Sequence, residues 1–456
     1  KNNFIQTSVV PSQEPAITGT DTNIANIGGT VIDQRDFYDY AVSVAKKPES
    51  HNEDEGVSLQ INWDTDHFSL TSISAYRAHD SYDNADIVFN DLDGAYRAND
   101  ASQDQYTQEF RLANSGDKLS YVAGLYYYRQ QLDNNRSTTV GEDLSAMLLG
   151  VPSNLFVADT GSFDTNDQEH TSYAAFGQVD YKLTDTLLLT AGLRWTYEEK
   201  EIDNVYTQDY PREDGGNFGF TQFPPLAPQN DLHESFDDNK TTGTVKLSWF
   251  MNDDIMFYAS YGTGYKSGGA NADRINTDLD NGGITPLFDP ETSNSTELGM
   301  KADFPEQALR ANVALHYTKT EDLQTVSFQG GGFALENAGT AETYGVELEL
   351  LWLPTDNTTL TLGYAYNHGE YEDFERGPCW TSTPWHNGFD AGIGAEDPRV
   401  DANGYCDNSG GDLSGNPENV LVVSANQRFD LTGSFSAFLY GEYIFTDERM
   451  TDVNND

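Results

Sequence analysis

Residues able to do chemistry are scattered along this chain, and their spacing points away from catalysis. The 8 histidines form no HExxH pair, no GxSxG nucleophile turn is present, and no phosphate-binding loop can be traced. GTGYKSGGAN (262–271) carries the glycines of a phosphate cradle. It lacks the Lys-Ser/Thr spacing and no helical pattern follows, so it reads as a strand end running into a loop. NDLDGA (90–95) and NTDLDNGG (276–283) resemble pieces of a calcium loop. Such a loop needs further oxygen ligands at fixed spacing and a closing bidentate acid. Those are missing, so a solvated acidic loop is the preferred reading. No enzyme activity, metal site or cofactor is expected.

Binding chemistry is better represented. Rings gather where polar segments begin, at Tyr126, Tyr127, Tyr128, Tyr258, Tyr261, Tyr265, Trp380 and Trp385. An apolar ring with a polar tip suits either a ligand platform or an anchor at a membrane interface. Tyr128, Tyr265, Lys266 and Trp380 are the candidate substrate contacts. Arg111, Arg194, Lys246, Lys301, Glu347 and Glu349 stand on the polar side of alternating runs. They read as the wall of a lumen, touching a guest or simply hydrated and paired across strands. Cys379 and Cys406, the 2 cysteines of the chain, share one Gly-, Asn- and Asp-rich segment. They read as a disulfide closing that segment in an oxidising compartment.

The elements that must position these residues are strands. In TSYAAFGQVDYKLTDTLLLTAGLRWTYEEK (171–200), Tyr173, Ala175, Gly177, Val179, Tyr181 and Leu183 share one face. After Thr184–Asp185 the pattern repeats with Leu187, Leu189, Ala191, Leu193, Trp195 and Tyr197. Successive side chains leave a strand on opposite faces, so this is a hairpin. Six more hairpins follow the same plan, with turns near Asp64–Asp66, Ser115–Asp117, Asn252–Asp253, Phe304–Glu306, Pro354–Asn357 and Phe429–Thr432. Between them run long polar connections at 81–103, 133–168, 201–239, 267–290, 321–341 and 371–417. Short turns at one end and long loops at the other describe an all-β, antiparallel up-and-down barrel of the outer-membrane type. About 14 strands can be traced, each reaching the 9–11 residues that cross a bilayer. The apolar face then touches lipid and the polar face lines the lumen.

Composition agrees. Aromatics reach 12% while hydrophobic residues total only 37%, which suits a ring-rich wall with little packed core. No run of eighteen apolar residues offers a membrane helix. With 25 basic against 74 acidic residues, the net charge of −49 repels phosphate backbones and excludes nucleic acid as a partner.

The chain resembles the barrel domain of TonB-dependent receptors, energised importers of the Gram-negative outer membrane. The matching stretches run in order: LTSISAYR (70–77), QEFRLAN (108–114), YVAGLYYY (121–128), YAAFGQVDYKLTDTLLLTAGLRWTYEEK (173–200), FYASYGTGYKSGGAN (257–271), FDPETSNSTELGMKADF (288–304), NAGTAETYGVELELLWLP (337–354) and GDLSGNPENV (411–420). The resemblance implies a 22-stranded barrel around an N-terminal plug preceded by a TonB-contacting segment. It divides the chain into an early loop and strand remnant (1–55) and barrel with extracellular loops (56–456), with the plug and both barrel ends absent. It further implies uptake of a scarce bulky solute, first of all a ferric siderophore or other iron chelate. TonB, outer-membrane lipid and lipopolysaccharide are the implied partners, and cobalamin, oligosaccharide or a passive porin are the alternatives.

Overall fold

The computed structural model of the chain describes residues 19–31, 42–149, 156–208, 231–272, 286–329, 332–375, 377 and 406–450. Strands dominate. In chain order they are β1 Glu49–Asp64, β2 Ser69–Asp86, β3 Ala95–Ser115, β4 Leu119–Val140, β5 Gly161–Thr184, β6 Leu187–Gln208, β7 Leu232–Phe250, β8 Ile255–Lys266 and β9 Gly269–Ala270. They continue with β10 Leu287–Phe288, β11 Glu291–Phe304, β12 Leu309–Glu321, β13 Gln324–Gln329, β14 Gly332–Asn337, β15 Thr340–Thr355, β16 Thr358–Asp373, β17 Asn419–Thr432 and β18 Phe435–Thr446. Two short helices, α1 Gly19–Asn26 and α2 Leu144–Leu149, complete the described elements.

A single 14-stranded sheet holds β1 to β8, β11, β12 and β15 to β18, each beside its predecessor in that order. All its pairings are antiparallel, giving the up-and-down meander expected from the sequence. Tight turns close one end. Asn252 Oδ1 accepts the N–H groups of Asp254 and Ile255 at 2.9 and 2.8 Å, which bends β7 into β8. A 3₁₀ turn at Pro305–Gln307 does the same before β12, with Ala308 in the left-handed region at φ 47°.

Two expectations about boundaries are corrected. The last turn lies beyond Thr432, which pairs with Phe435, rather than at Phe429–Thr432. Phe429 and Leu431 keep the apolar alternation going and are exposed, so the strand runs on to Thr432 before the chain turns. Several strands are also much longer than a bilayer crossing, at 24 residues for β5 and 22 for β4 and β6. The connection placed at 81–103 shrinks to 87–94, and the one placed at 321–341 contains the β13–β14 hairpin. The hydrogen-bonded ladder needs only an extended partner, not an apolar face. It therefore continues past the bilayer with polar side chains on both sides.

The bilayer level is marked by rings. On the apolar face Tyr106, Tyr127 and Tyr173 succeed one another at 6.1 and 5.2 Å between centroids, and Tyr173 pairs with Tyr197. Tyr317 and Tyr344 pair farther along the sheet. Near the tight turns Trp249 stacks on Phe257 at 5.7 Å, and Trp352 Nε1 donates to Gln307 O at 3.1 Å. From turn to upper ring row, Leu119–Tyr127, Leu187–Tyr197 and Leu309–Tyr317 each span about 9–11 residues, enough for a tilted strand to cross hydrocarbon. Between the rows Leu125, Leu193, Leu298 and Leu315 are each more than half exposed. Packed cores occur instead at the long-loop end. Ala95, Val140, Leu144 and Phe156 form one, and Ala338, Tyr371 and Phe374 the other. The α1 helix reaches the first through Asn23 Nδ2, which donates to Met147 O at 3.1 Å.

Candidate functional site

The polar face is concave. Lys200 Nζ, on β6, reaches past β7 to donate to Gly268 O at 2.7 Å, and Tyr265 crosses from β8 to Glu198 and Asp238. Register stacks the inward side chains of β4, β5 and β6 in rungs. Gly124, Phe176 and Arg194 make the lowest; above it come Tyr126, Ala174 and Thr196, then Tyr128, Ser172 and Glu198, then Gln130, His170 and Lys200. Gly124 is required here. A Cβ at that position would lie 2.4 Å from Phe176 Cζ and 2.7 Å from Phe110 O. The bare backbone lets the Phe176 ring lie across the strand, where the Arg194 guanidinium faces it at 5.8 Å and Tyr126 at 5.5 Å.

These rungs, with Tyr265 of β8, line an open cavity of about 330 Å³ that is bordered by Tyr126, Tyr128, His170, Arg194 and Glu198. A second, of about 190 Å³, sits one rung higher against Gln168, Lys200, Ile202 and Phe288. Arg194 donates to Thr196 Oγ1 at 3.1 Å. Among the described residues no carboxylate lies within ion-pair distance of it. Glu198, in contrast, accepts from the Tyr265 hydroxyl at 3.3 Å and has His170 Nε2 3.4 Å away. Burial pushes its carboxyl up, but the donors His170 and Ser267 and the charge of Lys200 outweigh that and hold it below the usual range. Burial also depresses the Lys200 ammonium, against the pull of Glu198. It raises the Tyr265 phenol, helped by the hydrogen bond to Asp238. The cavity thus holds a guanidinium among rings with no carboxylate partner among the described residues, beside a carboxylate that already has His170 and the Tyr265 hydroxyl as neighbours. That arrangement suits an anionic, ring-bearing guest.

Of the sequence-chosen contacts, Tyr128 and Tyr265 line the cavity; the Tyr128 hydroxyl donates to Gln130 Oε1 at 2.5 Å. Lys266 does not, and instead faces Glu291 at 4.0 Å with its side chain 57% exposed. Trp380, Trp385 and Cys379 lie outside the described residues. Cys406 is buried and disulfide-bonded. Arg111 pairs with Gly124 in register and so shares the Arg194 rung, but its guanidinium is bound to Glu109. Lys246, Lys301, Glu347 and Glu349 share the concave phase, with Glu349 accepting from Asn312 Nδ2 at 3.2 Å, and none lines either cavity. His170, Glu198 and Lys200 were missed, although continuing the Arg194 phase along β6 through Thr196 leads straight to the latter two. In the 90–95 run, Asp91 accepts from Thr30 at 2.6 and 2.7 Å and Asp93 from Tyr96 at 2.5 Å. Its acids are structural acceptors, and the 276–283 run lies outside the described residues.

The family described as TonB dependent receptor-like, beta-barrel matches residues 6–456. The chain belongs to this family. The pesticin receptor of Yersinia enterocolitica is 28% identical over 249 residues, 54% of this chain and 31% of that protein. The ferric-pyoverdine 358 receptor of Pseudomonas putida is 34% identical over 94 residues, 20% of this chain and 12% of that protein. Among solved structures, the ferric yersiniabactin uptake receptor of Yersinia pestis superposes with a TM-score of 0.65 at 18% identity, covering 90% of this chain and 52% of that one. The siderophore receptor PiuA from Acinetobacter baumannii gives 0.60 at 15% identity, over 90% and 56%. The barrel fold is shared, and the chain spans 31% of the length of the pesticin receptor and 52% of that of the ferric yersiniabactin uptake receptor.

Proposed function

We propose that this chain is barrel wall of a TonB-dependent outer-membrane receptor that takes up a scarce, bulky solute, with a ferric siderophore or other iron chelate as the first substrate class. The observation that carries the reading is the Arg194 guanidinium, without a carboxylate partner among the described residues and framed by Tyr126 and Phe176 at the floor of a concave cavity. Iron chelates are bulky and are often anionic and ring-bearing, and a cation set among rings is the complement of that chemistry. The names of the pesticin-receptor and pyoverdine-receptor relatives, with membership of the family, support it. In this reading the long connections face outward, the apolar band meets lipid and lipopolysaccharide, and TonB is engaged through a segment N-terminal to the barrel. The division into an early remnant over 1–55 and barrel from 56 belongs to the same reading.

Cells carrying the full-length receptor, supplied with labelled ferric chelates, test it. Saturable accumulation that disappears without TonB and weakens in Arg194→Ala is the expected result. Flux that neither saturates nor depends on TonB would replace it with a passive pore. Saturable uptake of cobalamin or oligosaccharide alone would keep the transporter and change the cargo.

A further inference from the structure

Above the cavities the concave face carries a ladder of three amides. Asn134 pairs with Asn166 and Asn166 with Asn204 across β4, β5 and β6, in the same side-chain phase as Tyr128, His170 and Lys200. Asn204 is 0% exposed and Asn166 6%. Gln168 Nε2, which lines the smaller cavity, donates to Asn166 Oδ1 at 2.7 Å. Asn134 Oδ1, Asn166 Nδ2 and both amide atoms of Asn204 are buried without any hydrogen-bond partner. Leaving buried amide groups unpaired costs more than a hydrogen bond returns, so a seam of them calls for an occupant.

The chemistry of the occupant follows from the ladder. One rung higher, Arg136 Nε and Asp164 Oδ2 pair at 3.1 Å, so opposite charges stand side by side there, while the amide rung itself carries no charge. An anion at the rung would face the unpaired carbonyls, and a cation would face the unpaired NH₂ groups. A hydroxyl both donates and accepts, and it satisfies each amide whichever way round its oxygen and nitrogen are assigned.

We propose that Asn134, Asn166 and Asn204 form a hydroxyl-binding seam, filled by ordered water or by the hydroxyls of a polyhydroxylated solute that reaches it past Gln168. This does not depend on the iron-chelate reading, because the seam is neutral and lies above Arg194. The decisive experiment is a pair of crystal structures of the receptor, one grown without polyol and one soaked in trehalose. The expected result is an oxygen within about 2.7–3.2 Å of two or more of the named amide atoms. Water in both crystals assigns the seam to water, and a sugar oxygen only in the soaked crystal assigns it to solute. Amides that pair with one another around no oxygen overturn the proposal. Melting gives a second readout: Asn166→Leu and Asn204→Leu should each lower the midpoint, and the double variant should fall by less than the sum, because both lose the same oxygens. A rise in the midpoint, or strictly additive falls, counts against the seam.

Discussion

Replacing Arg194 separates a ligand site from an ordinary hydrated wall. Its guanidinium faces Tyr126 and Phe176 at 5.5 and 5.8 Å and donates to Thr196 at 3.1 Å. In Arg194→Ala the two ring contacts are lost, worth about 0.5–1 kcal/mol each. The barrel should therefore stay folded, since no buried carboxylate is stranded by the change. Binding is another matter. An anionic group docked on the guanidinium would gain charge-assisted hydrogen bonds worth about 1.5–3 kcal/mol, so its loss should weaken Kd roughly 10–150-fold. Arg194→Lys keeps the charge but not the planar fork or the stacking, so an intermediate loss is expected. Quenching of intrinsic fluorescence by ferric chelates, titrated into detergent-purified full-length receptor, would read the affinity. Tyr265→Phe serves as a companion, since it removes a hydroxyl held by Glu198 and Asp238 and unsettles the cavity wall. If both variants bind a chelate that wild type binds, each within about twofold of wild type, a difference below about 0.5 kcal/mol, the cavity is not the ligand site and the reasoning fails.

Other outcomes follow from charge at and above the upper ring row. Asp133, Asp167 and Asp203 are successive cross-strand partners, and Asp167 is held above the usual carboxylate range by partial burial and by its acidic neighbours. Asp167→Asn should stabilise the receptor by about 0.2–1 kcal/mol at low ionic strength, a gain that fades as salt screens the row, measured by thermal melting against NaCl. His368 lies above Tyr366, with Nδ1 2.7 Å from Glu418 and Nε2 3.6 Å from Glu370. The hydrogen bond to Glu418 raises its pKa above the ordinary 6.5. Because the folded value is the higher one, its contribution is complete below about pH 6.5 and is lost as pH rises through the folded value. Melting midpoints should decline over that window in wild type, and by less in His368→Gln.

How much of this was legible beforehand depends on what sets each feature. Period-two alternation follows from the strand backbone itself, so the strands, their order, six of the seven turn positions and the face carrying Arg194 could all be read from the sequence. So could Tyr128 and Tyr265, because rings at the upper bilayer level stand out in a polar chain. The extent of the strands could not. Above the bilayer both faces are polar, and only backbone pairing with a neighbour, such as Asp133 opposite Asp167, keeps the chain extended.

The site was legible in parts and not as a whole. Sequence order put Arg194 and Glu198 on one face, but it could not show that Glu198 is taken by His170 and Tyr265 while Arg194 is left open, since those partners come from other strands. Lys266 illustrates the same limit, one residue from Tyr265 in sequence yet turned to Glu291 in the fold. The asparagine ladder is the clearest case. Asn134, Asn166 and Asn204 stand some 30 to 40 residues apart in polar segments that read as loops. Only the register of β4, β5 and β6 aligns them in one rung, and only the fold buries Asn166 and Asn204. The alternation of residue types thus determined the wall, because that information is local. Which polar groups meet, and which are buried unpaired, was decided by register and packing, which depend on contacts between distant parts of the chain.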